Sequence, residues 1–166
     1  MGTLLEFPNP VNDKAARTVA AIVALSAILA LATGWLWLLY PLALGFLARV
    51  ATGPTLSPLG RFAMWFAGTH LGRPRYVPGP PKRFAQGIGA LCTTAGAVAL
   101  ALGAGTLPVL VLGIMVVFAT LESVFSFCAG CTLFSGLMRL GLVPERVCLE
   151  CADIAARRPS GQAAAS

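Results

Sequence analysis

Charge is scarce in this sequence. Charged side chains make up 11% of its 166 residues and hydrophobic ones 57%, against about 25% charged in a soluble domain, so a water-soluble globular domain is excluded and a lipid solvent is required. No charged residue occurs between Thr18 and Ala48 or between Phe84 and Leu121, two runs of 31 and 38 residues. Crossing the bilayer hydrocarbon takes about 20 apolar residues, which rules out an ordinary buried core helix for either run. Histidine is almost absent as well. His70 has no second His near it, which argues against an imidazole metal site and for a ring snorkelling at the membrane interface. Lys14 and Arg17 precede the first run as the basic region of a leader peptide would. Leader apolar regions span only about 7 to 15 residues, so this run is expected to be mature structure.

Each run is expected to cross the membrane twice. A single helix of 31 residues would be about 46 Å long at 1.5 Å per residue, well beyond the hydrocarbon thickness. Both runs also carry breakers near their middles: Thr33, Gly34 and Pro41 in the first, Gly103, Gly105 and Pro108 in the second. Two hairpins place all twelve basic residues on one side. Lys14 and Arg17 precede the first hairpin, Arg49, Arg61, Arg73, Arg75, Lys82 and Arg83 lie between the two, and Arg139, Arg146, Arg157 and Arg158 follow the second. The opposite turns, near Gly34 and Gly105, carry no charge. By the positive-inside rule both termini and the middle loop are cytoplasmic. The net charge of +6 then reports topology and attraction to anionic lipid, and calls for no nucleic-acid partner.

The predicted fold class is therefore an all-α membrane protein of four transmembrane helices in two hairpins. The helices are placed over 12–32, 35–51, 81–102 and 107–127. A cytosolic segment over 1–11 precedes a membrane domain over 12–143, whose interfacial loop spans 52–80. Trp35, Trp37 and Tyr40 suit the outer aromatic belt. Gly89, Thr93, Ala97, Ala101 and Gly105 recur every four residues, a small-residue face for close helix approach. In the middle loop Ser57 and Pro58 make a helix start, and Leu59, Phe62, Ala63 and Phe66 recur at helical spacing beside Trp65, which predicts an amphipathic helix in the interface. The stretch Val77-Pro-Gly-Pro-Pro-Lys-Arg83 reads as a rigid lead into the third helix. Short cytosolic helices are predicted at the C-terminus: a second interfacial one over 133–142 and a Cys-x-x-Cys helix within 144–158. A disordered tail over 159–166 follows.

Two cysteine pairs carry the pointed chemistry. Cys128-Ala-Gly-Cys131 and Cys148-Leu-Glu-Cys151 are separated by sixteen residues. On the cytoplasmic side all four face a reducing compartment, so free thiols, thiolates or metal ligands are expected rather than structural disulfides. The spacing matches a four-thiolate zinc site, with zinc as the cofactor to consider. Against this, Thr132 and Ala152 stand where zinc knuckles commonly place Gly. The other option is thiol chemistry, in which a pair cycles between dithiol and disulfide or carries a persulfide. With Cys128 at the C-terminal end of the fourth helix the dipole opposes a thiolate there, and Cys148, near the start of a short helix, is the better nucleophile. Four small semi-buried side chains without chemistry are the plain alternative. Cys92, inside the third helix, is read as packing. Glu122 is the one charge within the predicted fourth helix. An intramembrane carboxylate suits proton transfer, or it pairs with Lys82 or Arg83 at the same level.

Several segments carry a family resemblance: Val11-Asn-Asp-Lys14, Gly53-Pro-Thr-Leu-Ser-Pro-Leu-Gly-Arg61, Gly79-Pro-Pro-Lys-Arg-Phe-Ala85, Leu121-Glu122 and Phe127-Cys-Ala-Gly-Cys131. The chain resembles, over nearly its whole length, a bacterial integral-membrane family, domain of unknown function 4395. The resemblance implies a bacterial inner-membrane protein. It also implies a soluble thioredoxin-like or rhodanese-type sulfurtransferase partner, since some relatives look linked to such proteins. Three functions follow from the residues and the resemblance together. The first is a membrane partner in thiol redox or sulfur trafficking through Cys128, Cys131, Cys148 and Cys151. The second is a zinc-clasped scaffold on the same cysteines, and the third a small transporter, with homo-oligomerisation, that uses Glu122.

Overall fold

A computed structural model describes residues 10–53 and 57–142; Cys148, Cys151 and the helix predicted within 144–158 lie outside the described residues. The described chain is helical apart from one short ladder. Its elements are β1 (Val11–Asn12), α1 (Asp13–Thr33), α2 (Leu39–Thr52), α3 (Pro58–His70), β2 (Tyr76–Val77), α4 (Gly79–Ala101), α5 (Thr106–Phe125) and α6 (Ala129–Arg139), with a 3-10 turn at Leu36–Leu38 before α2. Three of these, α1, α4 and α5, are long and apolar enough to cross a membrane, and they make this a membrane protein.

The helices predicted for the membrane domain appear close to their expected bounds, and the interfacial helix placed over 133–142 forms earlier, at Ala129–Arg139. The helix predicted over 35–51 begins at Leu39 rather than at 35. Pro41 explains this, because a proline ring clashes with the carbonyl four residues upstream and is tolerated only in a first turn. The preceding residues take the tighter 3-10 winding instead. Together the two pieces, 14 and 3 residues long, span roughly 27 Å. Before α4 the prolines are not a separate lead, since Pro80 and Pro81 sit inside its first turn.

Packing runs opposite to that of a soluble core. Small residues face inward: Ala27 and Ala30 of α1 and Thr93 of α4 are fully buried. Large ones face outward, as Leu25, Leu44, Leu91 and Val117 are each more than half exposed. That arrangement suits lipid, where close backbone approach rather than water exclusion drives helix association. The small-residue face of α4 is a helix contact at Gly89, Thr93 and Ala97. A Cβ at Gly89 would lie 2.5 Å from the Phe46 ring of α2, and one at Gly96 would lie 2.9 Å from Leu39. Ala101 and Gly105 are exposed at the turn, so the face ends before them.

Helices adjacent in sequence are not the ones that pack most. α1 lies chiefly on α5 and α3, and α2 on α4, while α1 and α2 barely touch. One end of the bundle gathers the starts of α1 and α4 with the ends of α2 and α5. There β1 pairs antiparallel with β2, Val11 opposite Val77, the Asp13 amide donates to the Arg75 carbonyl at 2.7 Å, and Arg83 Nε donates to the Val50 carbonyl at 3.2 Å. The middle-loop helix α3 starts as predicted, with Ser57 Oγ accepting from the Gly60 amide at 3.2 Å. Its buried face, however, is Gly60, Ala63 and Ala67. Phe62 and Trp65 point outward, and Phe66 and His70 rings lie 4.9 Å apart.

Candidate functional site

The site forms where that end of the bundle closes. Asn12 caps α1, its Oδ1 accepting from the Lys14 amide at 3.1 Å, which leaves Asp13 in the first turn with its side chain turned inward. Lys82 stands in the first turn of α4 because the β1–β2 ladder aligns the two helix starts. Glu122 stands in the last turn of α5. Lys82 Nζ donates to Glu122 Oε1 at 2.7 Å and lies 3.2 Å from Asp13 Oδ1. All three side chains are largely withdrawn from solvent, at 9% exposure for Lys82, 10% for Asp13 and 19% for Glu122. Of the two roles considered for Glu122, the structure places it in an ion pair, with Lys82 rather than Arg83.

The helix predicted over 107–127 ends two residues earlier, at Phe125. α5 stops at Phe125 because Arg17 of α1 donates to its terminal carbonyls, with 3.0 Å from Nε and 2.8 Å from Nη2 to Ser123 O. A cation there complements the negative end of the helix. Ser126 then adopts a left-handed conformation at φ 57°, uncommon for a residue with a Cβ, and the chain turns back. Cys128 consequently caps the start of a new helix, α6, instead of ending the old one. This corrects the dipole argument made from sequence: Cys128 sits at the positive end of a helix.

Cys128 is buried and Cys131 half-buried. The Cys131 thiol donates to Cys128 Sγ at 2.7 Å, and the Cys131 amide points at the same sulfur at 3.4 Å. The hydrogen bond from the Cys131 thiol holds Cys128 below the ordinary thiol range, against burial and the Glu122 charge, with the Lys82 ammonium and the Cys131 amide adding to it. The same hydrogen bond, together with burial, pushes Cys131 up. The shared hydrogen bond thus favours ionisation at Cys128 and keeps the proton at Cys131.

Two further contacts seat α6 on α4. The Phe84 and Phe134 rings lie 5.6 Å apart, and Gly130 presses on Ala85 so closely that a Cβ there would fall 2.6 Å from the Ala85 Cα. Gly130 is the second residue inside the Cys-x-x-Cys motif, where sequence spacing alone assigns no role. Asp13 is the other residue that sequence reasoning missed. The grouping of charges at one membrane face is the signal that pointed to it.

Cys128 lines two openings. One is an open cleft of about 580 Å³, bounded by the polar side chains of Asp13, Lys82, Thr132, Ser135 and Arg139, by Cys128 and Cys131, and by Val77, Pro78, Pro81 and Phe127. The other is an apolar cavity of about 250 Å³ between α1, α4, α5 and α6, with Gln86, Glu122 and Cys128 among its few polar wall residues. Cys92 also lines that cavity, and His70 stays apart beside Trp65 and Phe66. Among the described residues no group of three His, Cys, Asp or Glu side chains is placed to hold a metal ion. The Lys82 ammonium occupies the space between the carboxylates, where a second cation would be repelled. No curated protein and no solved structure matches the chain. A family profile described as Domain of unknown function (DUF4395) matches residues 11–139, and the chain belongs to that family.

Proposed function

We propose that this chain is a four-span protein of a bacterial inner membrane, arranged as two hairpins with both termini cytoplasmic. Its Cys128–Cys131 pair exchanges electrons or sulfane sulfur with a soluble thioredoxin-like or rhodanese-type partner. The observation that carries the chemistry is the sulfur geometry. Cys128 Sγ lies at a helix start, 2.7 Å from the Cys131 sulfur, in the wall of an open cleft of about 580 Å³. Support for the topology comes from the gathering of the two helix starts and two helix ends with the basic side chains.

In the redox exchange the Cys128 thiolate attacks one sulfur of the partner disulfide. A mixed disulfide forms and the partner's other sulfur leaves as thiolate. Cys131 then gives up its proton and attacks Cys128 Sγ, which forms the Cys128–Cys131 disulfide and releases the second partner thiolate. The reaction is reversible, and Cys148 and Cys151 are proposed as a second thiol pair passing electrons or sulfur onward. A Cys131→Ser protein mixed with oxidised thioredoxin is expected to accumulate a mixed disulfide through Cys128, read by intact mass, and Cys128→Ser to form none. Equal trapping by Cys128→Ser overturns the assignment. So does unchanged handling of thiosulfate and oxidants by cells in which all four cysteines are replaced by Ser.

A further inference from the structure

A dithiol pair that trades electrons with a soluble partner needs a second redox partner to complete its cycle. The cavity on the other side of Cys128 indicates what that partner is. Its walls are aliphatic and aromatic over most of their surface, with Val19, Phe46, Ile114, Met115 and Phe118 among them. Ile114 and Phe118 are each 46% exposed on the outer surface of α5, and Leu133 of α6, at 52%, stands at the same rim. These are surfaces that lipid would cover, so the cavity is reached from the bilayer rather than from water. Cys128, Glu122 and Gln86 are polar members of its wall, and the Gln86 Oε1 is already taken by Arg49 Nε at 3.0 Å, which leaves the amide hydrogens of Gln86 as its donors.

A guest of this cavity has a ring-sized head that accepts hydrogen bonds, an apolar tail leading back to lipid, and electrons to accept from a thiolate. A dry cavity of about 150 Å³ admits one benzene ring; at about 250 Å³ this one takes a substituted six-membered ring and the first part of a tail. We propose that the cavity binds the head of a lipid-soluble quinone, which oxidises the Cys128–Cys131 dithiol. This rests on the thiol-redox function proposed above and names the membrane-side partner of the same site.

The two electrons come from the pair, and of the two protons one comes from Cys131 and one from water. The Cys128 thiolate adds to a ring carbon, forming an S–C bond while the ring takes the electron pair. Cys131 loses its proton and attacks Cys128 Sγ. The S–S bond forms, the S–C bond breaks, and the ring leaves with two electrons. The Cys131 proton and one proton from water, which replaces the one released when Cys128 ionised, complete the quinol. The soluble partner's dithiol then reduces the Cys128–Cys131 disulfide through the open cleft. Cys128 thereby faces water-borne thiols on one side and lipid-borne oxidant on the other.

The test uses the full-length protein, reduced, in detergent micelles without oxygen, with a benzoquinone bearing a ten-carbon tail as the probe. One quinol per chain and a Cys128–Cys131 disulfide by intact mass are expected. Ala119→Leu and Ala16→Leu, which add bulk to the cavity wall from α5 and from α1, are expected to slow quinone reduction about tenfold or more, the scale on which an added methylene matters in a fitted pocket. Their iodoacetamide labelling at Cys128 and their mixed-disulfide trapping should match wild type, which also verifies folding. Quinone reduction at the wild-type rate in both filled variants overturns the site. No reduction by wild type, with trapping intact, overturns the quinone while the thiol exchange stands. Loss of both in wild type overturns the two proposals together.

Discussion

At the residue scale the cysteine pair divides its labour through one hydrogen bond. Because the Cys131 thiol is the main cause of the lowered Cys128 value, removing that donor is expected to return Cys128 toward the ordinary thiol range near about 8.5. Cys131→Ala should therefore shift the pH dependence of Cys128 alkylation upward, whereas Cys131→Ser keeps a donor and should shift it less. Iodoacetamide rates against pH measure both, and equal profiles in the two variants contradict the account. A depressed value also ties stability to pH. The contribution is complete above the unfolded thiol value and is lost as pH falls through the folded one. Beside the sulfurs, Lys82 serves two carboxylates. Replacing it by Met removes the ion pair from both carboxylates and is expected to cost about 3–5 kcal/mol. Glu122→Gln should cost less, since Lys82 keeps Asp13 at 3.2 Å. Thermal unfolding in one detergent ranks the two, and the reverse order contradicts the pairing.

At the element scale the bundle depends on a few close helix approaches. Gly89→Ala drives a Cβ into the Phe46 ring, and overpacking of this kind costs about 1–3 kcal/mol. Adding Phe46→Leu should restore part of the loss, a coupling that a double-mutant cycle reads directly. These helices were legible in the sequence because hydropathy, uncharged runs and breakers agree on them, and α3 was marked by Ser57 and Pro58. The break at Ser126 was not. Phe125, Phe127 and Cys128 are apolar, so hydropathy runs straight through the turn, and a left-handed serine has no local signature as a glycine would. That single missed turn inverted the electrostatics assigned to Cys128. The β1–β2 ladder was equally hidden, since two residues on each side are too few to show an alternating pattern. The aromatic residues of α3 were recognised as an apolar set. Which small residues would face α1 depends on tertiary contact, and periodicity could not separate the two faces.

At the scale of the whole molecule, Arg17, Lys82 and Arg83 share one end of the bundle with the thiol site, and the uncharged turns form the other. The proposed orientation makes a direct labelling prediction. In a background without native cysteines, Arg75→Cys should react with a membrane-impermeant maleimide only after the cytoplasm is opened. Thr106→Cys should react in intact cells. A reporter fused after Arg158 and active outside the cell contradicts both. The three charges buried beneath the site also bear on how such a chain is made. Lys82 and Glu122 both belong to the α4–α5 half of the chain, so that half carries its own ion pair as it leaves the insertion machinery. Asp13 belongs to the first half, which is synthesised earlier and has no partner for that carboxylate until α4 arrives. The N-terminal half thus has reason to wait beside the translocon or a holding chaperone, and a chain truncated before Lys82 presents membrane proteases with an unpaired acid at the bilayer edge.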